Sequence, residues 1–391
     1  MEGRKLKVLQ LGKQYYPHIG GIEITMQQIA EGLQGQIESY VLASQERHAA
    51  RTEIIRGVPV YFAGSLGVIA SMPVSFDMIR YLKKHANEFD IIHLHMPFPL
   101  GDLACLLSGF KGKLVVYWHS DVVRQKKAML LYRPLMNWTL KRADAIAIAT
   151  QGNIDGSPYV KPYEEKCRRI PFGLRREWEK KSDLYWQMVT SEKEKPEAAD
   201  ETALRLLFIG RLVYYKGCDV LIEALKKLKS CTDQKEFSSI HLQIVGEGIL
   251  REELEKEAAR EQLRENITFC GRVSDEELEK QIENSDVFVF PSVANSEAFG
   301  LVQLETMAYG KPVINTSLPT GVPWVSIHGE TGLTVEPRNA EELAKAILWM
   351  KRHPKERREM GKRARERVKT RFTQDKMLAD ILNLYRELCE E

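Results

Sequence analysis

Two carboxylates stand eight positions apart in the segment Pro291–Pro312, which reads PSVANSEAFGLVQLETMAYGKP. Glu297 precedes a run of good helix formers and Glu305 lies within that run, so the segment predicts a helix from about Gly300 to Tyr309. The first amides of a helix are unpaired and partly positive, and a glycine lets an anion approach them closely. Carboxylates accept hydrogen bonds from hydroxyl groups. The segment therefore predicts a site for a phosphorylated, hydroxyl-rich ligand.

A second pair of charged residues, Arg211 and Lys216, stands in the stretch GRLVYYKG. An apolar strand is predicted before it, over Leu204–Ile209, and a helix after it, over Cys218–Lys229. Cations at a strand-to-helix turn can reach a diphosphate, because the helix N-terminus attracts the same anion. Solvated side chains on a surface turn are the ordinary alternative.

Small and polar residues also follow two predicted strands of the first half. Gly20 and Gly21 come in the loop after KLKVLQLG, and His119 and Asp121 come directly after KLVVYW. In a parallel sheet, the carboxyl ends of the strands line the ligand crevice. The glycine pair lacks the G-x-G-x-x-G spacing of dinucleotide sites, which argues against an NAD-dependent enzyme. These four residues are therefore candidate ligand contacts.

Two further histidines, His93 and His95, alternate on one side of a predicted strand. Imidazoles in this geometry could bind a metal ion. Because no third ligand is evident nearby, packing at the end of the strand is the favoured interpretation.

Short apolar strands alternate with helical segments along the 391 residues, which predicts parallel sheets of the doubly wound α/β type. A chain of this length is long for one hydrophobic core, so two domains are expected. The predicted strands are Lys5–Gly12, Glu38–Ser44, Val58–Phe62, Phe89–His95, Lys113–Trp118, Ala145–Ala149, Leu204–Ile209, His241–Val245, Asn266–Cys270 and Lys311–Asn315. The predicted helices are Phe76–Ala86, Leu130–Arg142, Cys218–Lys229, Leu250–Arg260, Leu278–Asn284, Gly300–Tyr309, Ala340–Lys351, Lys355–Thr370 and Thr373–Glu390.

The composition, with 43% hydrophobic and 28% charged residues, is typical of a soluble globular protein. No stretch approaches ~18 consecutive apolar residues, and the first apolar run is too short for a signal peptide. A cytoplasmic protein without a membrane span is therefore expected. The six cysteines are scattered without a C-x-x-C pair, which suits reduced thiols rather than a disulfide or zinc framework.

The charge is uneven along the chain. Residues 1–173 contain 22 Lys and Arg against 15 Asp and Glu, whereas the remainder contains 35 against 39. A basic half could favour peripheral contact with an anionic membrane or a phosphorylated acceptor, and ordinary surface charge is the alternative. A basic stretch interleaved with apolar residues could form such a surface, or simply a helix with a core face and a solvated face. Its basic members are Arg124, Lys126, Lys127, Arg133, Lys141 and Arg142.

Two of these segments closely resemble the motifs of one enzyme family. SEAFGLVQLETMAYGKPV resembles the E-x7-E segment, and GRLVYYKG the G-R-x-x-x-x-K-G pattern, of family 4 (group 1) retaining glycosyltransferases. The glycine pair, the H-S-D stretch at His119 and the segment RRIPFGL are similar to further parts of the family, so the resemblance covers nearly the whole chain. It implies the GT-B fold, in which two Rossmann-like, doubly wound parallel-sheet domains face each other across a cleft.

The resemblance implies a role for each candidate residue. The family's arginine and lysine bind the leaving pyrophosphate, its first glutamate holds the donor sugar, its second glutamate holds the ribose, and its histidine lies near the sugar's O6 and the reacting centre. Catalytic roles are thus expected for His119, Arg211, Lys216 and Glu297. Donor contacts are expected from Gly20, Gly21, Arg211, Lys216, Arg272, Val273, Glu297, Phe299, Gly300, Leu301 and Glu305, and an acceptor-side role from Asp121.

The resemblance also implies the domain boundaries. Residues 1–175 form the N-terminal, acceptor-side domain, and residues 204–372 form the nucleotide-sugar-binding domain. The last helix, within residues 373–391, is expected to pack back on the first domain. Residues 176–203 are polar with little periodicity, which departs from the family and predicts a linker with a loosely ordered insertion.

The sequence therefore predicts a retaining glycosyltransferase that moves a sugar from a nucleotide-diphosphate donor to a glycan or lipid-linked acceptor in cell-surface polysaccharide (lipopolysaccharide) biosynthesis. Within the family, WHSDVVRQK and GLVQLETMAYGKPV look most like bacterial mannosyl- or rhamnosyl-type transferases, so GDP-mannose is the favoured donor and a UDP-sugar the alternative. No D-x-D segment stands at a strand end, so turnover without metal or another cofactor is expected, and no nucleic-acid partner. Two alternatives stay open, namely a GT-B-fold UDP-N-acetylglucosamine epimerase and a non-catalytic nucleotide-sugar binding protein.

Overall fold

The computed structural model describes residues 4–18, 20–45, 49–69, 72–122, 126–191 and 203–390. The chain divides into two compact units. The first comprises residues 1–173 and 374–391, and the second comprises residues 174–373. Each unit has its own parallel sheet and its own hydrophobic core.

The strands, in chain order, are β1 (Lys7–Gly12), β2 (Glu38–Ser44), β3 (Arg51–Ile55), β4 (Val58–Ala63), β5 (Val68–Ile69), β6 (Met72–Pro73), β7 (Ile91–Met96), β8 (Lys113–Trp118), β9 (Ala145–Ile148), β10 (Cys167–Arg169), β11 (Leu204–Ile209), β12 (Ile240–Val245), β13 (Ile267–Gly271), β14 (Val287–Val289), β15 (Val313–Thr316) and β16 (Gly332–Val335).

The α-helices are α1 (Gly21–Gly32), α2 (Phe76–His85), α3 (Pro99–Ser108), α4 (Lys126–Arg142), α5 (Gln151–Gly156), α6 (Arg176–Thr190), α7 (Cys218–Cys231), α8 (Gln234–Ser238), α9 (Arg251–Arg260), α10 (Asp275–Glu283), α11 (Leu301–Ala308), α12 (Val322–Val325), α13 (Ala340–Arg352), α14 (Pro354–Arg371) and α15 (Gln374–Glu390).

Within the described residues, the sheet of the first unit has the strand order β10-β9-β8-β7-β1-β2-β4-β3. Its pairs are parallel except for β3 with β4, which is antiparallel. The central strands β7, β8 and β9 are buried almost throughout, because helices cover a parallel sheet on both faces. Edge strand β3 was not predicted, since its exposed residues carry no alternating apolar pattern.

Helix α15 completes the first unit from the far end of the chain. Its buried face repeats at helical spacing, with Met377, Ile381, Leu384 and Tyr385 directed into the unit. Helix α1 packs against it, and the Gln28 side chain donates to the Gly173 carbonyl oxygen at 3.0 Å, beside the start of α15. The predicted last helix thus belongs to the same unit as residues 1–173.

Within the described residues, the sheet of the second unit is all parallel, in the order β13-β12-β11-β14-β15-β16. Its core lies beneath α7, α9 and α13. Side chains cap two helices of this unit, α10 and α13. The Ser274 hydroxyl accepts from the Glu277 amide at 3.2 Å, and the Asn339 side chain accepts from the Glu342 amide at 3.0 Å.

The prediction of a polar linker over residues 176–203 is wrong for most of its length. Residues Arg176–Thr190 form helix α6, which belongs to the second unit, whereas residues 192–202 lie outside the described residues. Trp178 is 2% exposed, and Tyr185 and Trp186 on the same side pack against Tyr309 and Gly310. The sequence looked aperiodic because this narrow aromatic stripe is set among charged residues.

Ion pairs complete the attachment of α6. Lys181 pairs with Glu279 at 2.7 Å, and Asp183 pairs with Lys369 at 3.2 Å. Buried Lys311 donates to the Glu283 carbonyl oxygen at 2.8 Å and to the Tyr185 hydroxyl at 3.3 Å. Charged residues that suggested a solvated linker are therefore partly contacts between α6 and its own unit.

Candidate active site

The two motifs of the second unit meet where its strand order reverses. From β11 the chain proceeds to β12 and β13 on one side, and returns to β14 on the other side of β11. The GRLVYYKG turn follows β11, and the two-glutamate segment follows β14. The carboxyl ends of neighbouring strands at such a reversal form the usual ligand crevice of an open parallel sheet.

Backbone contacts hold these two loops together. The Val293 amide donates to the Tyr215 carbonyl oxygen at 2.8 Å. Gly217 has φ +68°, and a Cβ atom there would lie 2.0 Å from the Pro291 carbonyl oxygen. Only glycine fits this approach, because both the space and the left-handed backbone exclude a side chain.

Lys216 and Glu297 form a buried ion pair within the loops. Lys216 Nζ lies 2.5 Å from Glu297 Oε2, and the two side chains are only 13% and 11% exposed. The ammonium group also lies 5.0 Å from the centre of the Phe290 ring. An ammonium group has three donors, so Lys216 can bind Glu297 and a phosphate oxygen at the same time.

Arg211 stands at the start of the same turn and is exposed. Its guanidinium donates to the Tyr215 hydroxyl at 2.8 Å. This contact leaves further N–H groups on the fork, which suits bidentate contact with phosphate oxygens.

Helix α11 begins one residue later and ends one residue earlier than predicted. Gly300 is its N-cap with φ +78°, and a Cβ atom there would lie 2.6 Å from the Phe290 ring. The amide of Leu301 therefore stands in the first turn, at the positive end of the helix. Phe299 is 2% exposed and packs edge-on against Phe372, so its side chain belongs to the core.

Glu305 pairs with an arginine that the sequence did not single out. Arg175 Nη2 lies 3.5 Å from Glu305 Oε1, and Arg175 Nη1 lies 3.7 Å from Asp275 Oδ2. Burial raises the pKa of Glu305 to about 7, although the Arg175 charge acts in the opposite direction. The one sequence signal for Arg175 was its position just after RRIPFGL, where two arginines begin α6.

Arg272 and Val273 follow β13, two strands away from β11. Arg272 is exposed and Val273 is half-buried. Within the described residues, no hydrogen bond or ion pair joins either of them to Lys216 or Glu297. They lie at the carboxyl end of a strand, as the sequence predicted.

The first unit has its own reversal at β1, which lies between β7 and β2. Gly20, in the loop after β1, is the N-cap of α1 with an extended backbone, and Gly21 is the first residue of that helix. A Cβ atom on Gly20 would lie 2.3 Å from the Glu23 carboxylate. The Glu23 carboxylate thus occupies the space beside the first turn of α1.

His119 follows β8 and is held on several sides. Its amide donates to the Met96 carbonyl oxygen at 3.0 Å, and its Nε2 atom lies 2.9 Å from His95 Nδ1. The ring stacks on Phe172, with centroids 5.3 Å apart and an 8° angle between the planes. Burial lowers the pKa of His119 to about 3, so the imidazole is neutral.

Asp121 is tied into the first unit by two donors. Its Oδ1 atom accepts from Trp118 Nε1 at 3.1 Å and from the Ser157 hydroxyl at 2.7 Å. Burial raises the pKa of the carboxyl group. The acceptor-side role of Asp121 stays a prediction.

His93 and His95 are both engaged by other side chains. His93 Nδ1 lies 2.6 Å from the Tyr385 hydroxyl, and His95 Nε2 lies 2.9 Å from Gln10 Oε1. Among the described residues, no three histidine, cysteine or acidic side chains are grouped to hold a metal ion. Gln10 and Tyr385 were not predicted, although a glutamine within the apolar run KVLQLG was a visible signal.

The basic stretch of the first unit coincides largely with α4, while Arg124 lies outside the described residues. Leu130 and Leu131 are 76% and 86% exposed on this helix, and Arg133 beside them is exposed. Arg142 instead pairs with Asp144 at 2.9 Å. In the part of the chain that the structure describes, no helix combines the length and apolarity of a membrane span.

In a comparison with known proteins, the sequence matches two family models. Residues 189–367 match the model of group 1 glycosyl transferases, and residues 19–152 match that of glycosyltransferase family 4. A D-rhamnosyltransferase, WbpZ, of Pseudomonas aeruginosa is 35% identical over 371 residues, which cover 94% of this chain and 92% of the relative. The chain belongs to the family 4 (group 1) glycosyltransferases.

Other relatives agree with this assignment. The O-antigen chain mannosyltransferase C of Escherichia coli is 29% identical, and the match covers 98% of this chain and 99% of the relative. The crystal structure of Alr3699/HepE from Anabaena, in complex with UDP, has a TM-score of 0.75 at 18% identity and covers 98% of this chain and 100% of that chain. Sucrose-phosphate synthase from Thermosynechococcus elongatus gives 0.74 at 19% identity, with 98% and 99% covered. These two structures confirm the predicted GT-B fold of the glycosyltransferase.

Proposed function

We propose that this glycosyltransferase moves a manno-configured hexose from a nucleotide-diphosphate donor to a glycan or lipid-linked acceptor, in the assembly of a surface polysaccharide such as an O-antigen. GDP-mannose is the favoured donor. Support comes from the names of the two bacterial relatives, a D-rhamnosyltransferase and an O-antigen mannosyltransferase, because D-rhamnose is 6-deoxy-D-mannose. A UDP-sugar is the alternative, and it is supported by the UDP complex of the Anabaena protein.

One observation carries the donor site. The carboxyl ends of β11 and β14 bring together the Lys216–Glu297 pair and the N-terminus of α11 at Gly300. The ammonium group and the first amides of the helix would bind the diphosphate, and Glu297 would hold hydroxyl groups of the donor sugar. Arg211 adds a second cation on the same turn. This combination of charges suits a leaving group that gains negative charge in the transition state.

The remaining residues would bind the donor beyond its phosphates. Glu305 would accept the ribose hydroxyls, the backbone at Arg272 and Val273 would hold the base, and Gly20, Gly21 and His119 would contact the donor sugar. We propose retention of the anomeric configuration, with the leaving phosphate taking the acceptor proton, and turnover without a metal ion.

A panel of nucleotide sugars tests the proposal. A ligand that binds the folded state raises the melting temperature by mass action, so GDP-mannose should give a larger shift than GDP alone, UDP or UDP-glucose. Transfer from the best donor to a glycan acceptor is then followed by chromatography, and NMR of the product reads the anomeric configuration. An epimerase would release a free epimer from donor alone, and a binding protein would leave the donor intact.

We also propose contact with an anionic membrane through the surface of α4. Leu130 and Leu131 are exposed apolar side chains beside exposed Arg133, which together would meet acyl chains and acidic headgroups. The protein should co-float with vesicles containing acidic phospholipid and not with neutral vesicles. Leu130→Gln with Leu131→Gln should abolish flotation, whereas Leu184→Gln, an exposed leucine on α6 that is 66% accessible, should not.

A further inference from the structure

A chain of hydrogen bonds runs through the first unit from α15 to His119. Gln10 Nε2 donates to the Tyr385 hydroxyl at 2.9 Å, Gln10 Oε1 lies 2.9 Å from His95 Nε2, and His95 Nδ1 lies 2.9 Å from His119 Nε2. The Tyr385 hydroxyl in turn lies 2.6 Å from His93 Nδ1. Gln10, His93 and Tyr385 are wholly buried, and His95 and His119 are 1% and 7% exposed. Burying such a network is unfavourable unless its polar atoms are hydrogen-bonded. The positions of its protons are therefore constrained.

The proton positions follow from the amide of Gln10. Its oxygen only accepts, so the hydrogen in the Gln10–His95 contact must sit on His95 Nε2. A neutral imidazole carries one N–H group, which leaves His95 Nδ1 as an acceptor. The hydrogen between the two histidines therefore sits on His119 Nε2, and His119 Nδ1 carries none.

The three rings are neutral for a physical reason. Burial lowers the pKa of His93 and of His119 to about 3, and lowers that of His95 well below its usual value. Within the described residues, no ion pair joins a carboxylate to any of these rings. Each ring nitrogen that is hydrogen-bonded in this network therefore either donates or accepts.

Stacking fixes the plane of the His119 ring, while His95 fixes its rotation. Tyr117 and Phe172 pack against the ring with centroid distances of 4.8 and 5.3 Å, and against each other at 5.2 Å. The Tyr117 hydroxyl is itself anchored on the Ile170 carbonyl oxygen at 2.8 Å. With Nε2 committed to His95, the other ring nitrogen is the one that can meet a ligand.

We propose that Gln10 and His95 are positioning residues of the transfer reaction, which hold the proton of His119 on Nε2 so that Nδ1 accepts a hydrogen bond from a hydroxyl group of the donor sugar. This inference rests on the proposed function, because it takes His119 to contact the donor. It also defines the chemistry of that contact. An acceptor nitrogen recognises a sugar hydroxyl and cannot donate to a phosphate oxygen.

NMR of the intact protein tests the proton position without any turnover. Long-range ¹H–¹⁵N spectra of protein with ¹⁵N-labelled histidine distinguish the two neutral forms, and His119→Ala assigns the His119 signal among the nine histidines. We expect the Nε2-protonated form of His119 across pH 5.5–8. A proton on Nδ1, which requires the Gln10 amide turned over, or a cationic ring would overturn the proposal even if the enzyme transfers sugar.

Kinetics test the positioning role. His95→Phe keeps an aromatic ring but removes the acceptor, and should lower kcat about tenfold or more with little change in the donor KM. His85→Phe, at a half-buried histidine of the same unit that pairs with Glu88, should change neither. In a His119→Ala background, His95→Phe should cause no further loss, because its effect acts through His119. An equal loss of kcat in both backgrounds would contradict the positioning role of His95. Absence of any transfer activity would instead refute the proposed function, while the proton position found by NMR would still stand.

Discussion

Lys216 Nζ and Glu297 Oε2 lie 2.5 Å apart, so the cation expected at the leaving diphosphate and the carboxylate expected at the donor sugar are paired with each other. Each charge offsets the cost of burying the other. The pair thus orients both groups within the loops after β11 and β14.

Exchanging the two charges should separate folding from donor binding. Lys216→Met should lower the melting temperature, because breaking a buried pair costs about 3–5 kcal/mol, and should lower kcat/KM about 100-fold or more. The double variant Lys216→Glu, Glu297→Lys should regain much of the melting temperature but not the transfer activity. Differential scanning fluorimetry and a radiometric transfer assay measure the two effects. Lys362→Met, which removes an exposed partner of Glu359, is the matched control. Transfer restored in the double variant would contradict the assigned roles.

The two glutamates should affect different kinetic constants. Glu305 is expected at the ribose, which does not react, so Glu305→Gln should mainly raise the donor KM. Glu297 is expected at the sugar, whose charge and shape change, so Glu297→Gln should mainly lower kcat. Steady-state kinetics on both variants decide the matter, after circular dichroism has shown that they fold. The reverse pattern would exchange the two roles.

The affinity for the donor should depend on pH through Glu305. Burial raises the pKa of Glu305 to about 7, so the carboxylate form becomes scarce below that pH. If only the carboxylate accepts both ribose hydroxyls, the donor KM should rise about tenfold between pH 8 and pH 6. In Glu305→Gln this slope should disappear, leaving a uniformly high KM. An unchanged slope in the variant would assign the titration to another group.

Chelation should leave most of the activity. Arg211, Lys216 and the first amides of α11 are expected to carry the charge of the leaving group without a metal ion. Transfer is measured after dialysis against EDTA and again after adding Mg²⁺ or Mn²⁺. A complete loss that either metal restores would refute this expectation.

Asp102 should make the protein less stable at alkaline pH. Its carboxyl group is buried between α3 and α4, where Tyr132 donates to it at 2.5 Å, and burial raises its pKa from 3.8 to about 7. The folded state therefore binds an extra proton between about pH 4 and 7. The stability that this proton contributes is lost as the pH rises. Asp102→Asn should raise the melting temperature at pH 8 by roughly 3–6 °C and by much less at pH 5. Exposed Asp155→Asn should give no such gain; an equal gain at both pH values would exclude titration as the cause.

The strands and most helices were predictable because their apolar patterns are local. Lys113–Trp118, Leu204–Ile209 and Glu38–Ser44 match their predicted bounds, since each is a compact run that must be buried. Helix α6 was not predictable in this way, because its buried stripe consists of a few aromatic residues separated by charges. Helix α3 was also missed, although Pro99 stands at its first position, where proline is favourable.

The candidate site was predictable to the level of residue types but not of partners. The motifs named Lys216, Glu297 and His119 without indicating that the first two pair with each other. Contacts between distant parts of the chain leave no local pattern, so Arg175 at Glu305 and Tyr385 near His95 required the structure.

The division of the first unit between the two ends of the chain has a consequence for biosynthesis. Gln10 and His93 leave the ribosome long before Tyr385, because the 200 residues of the second unit, 174–373, are translated in between. At about 5–20 residues per second, translation of the second unit alone takes roughly 10–40 s. During that time the nascent first unit holds polar side chains in its centre without their partner on α15. The second unit, contiguous in sequence, can fold first, and the first unit can complete its core only when the last helix has been translated.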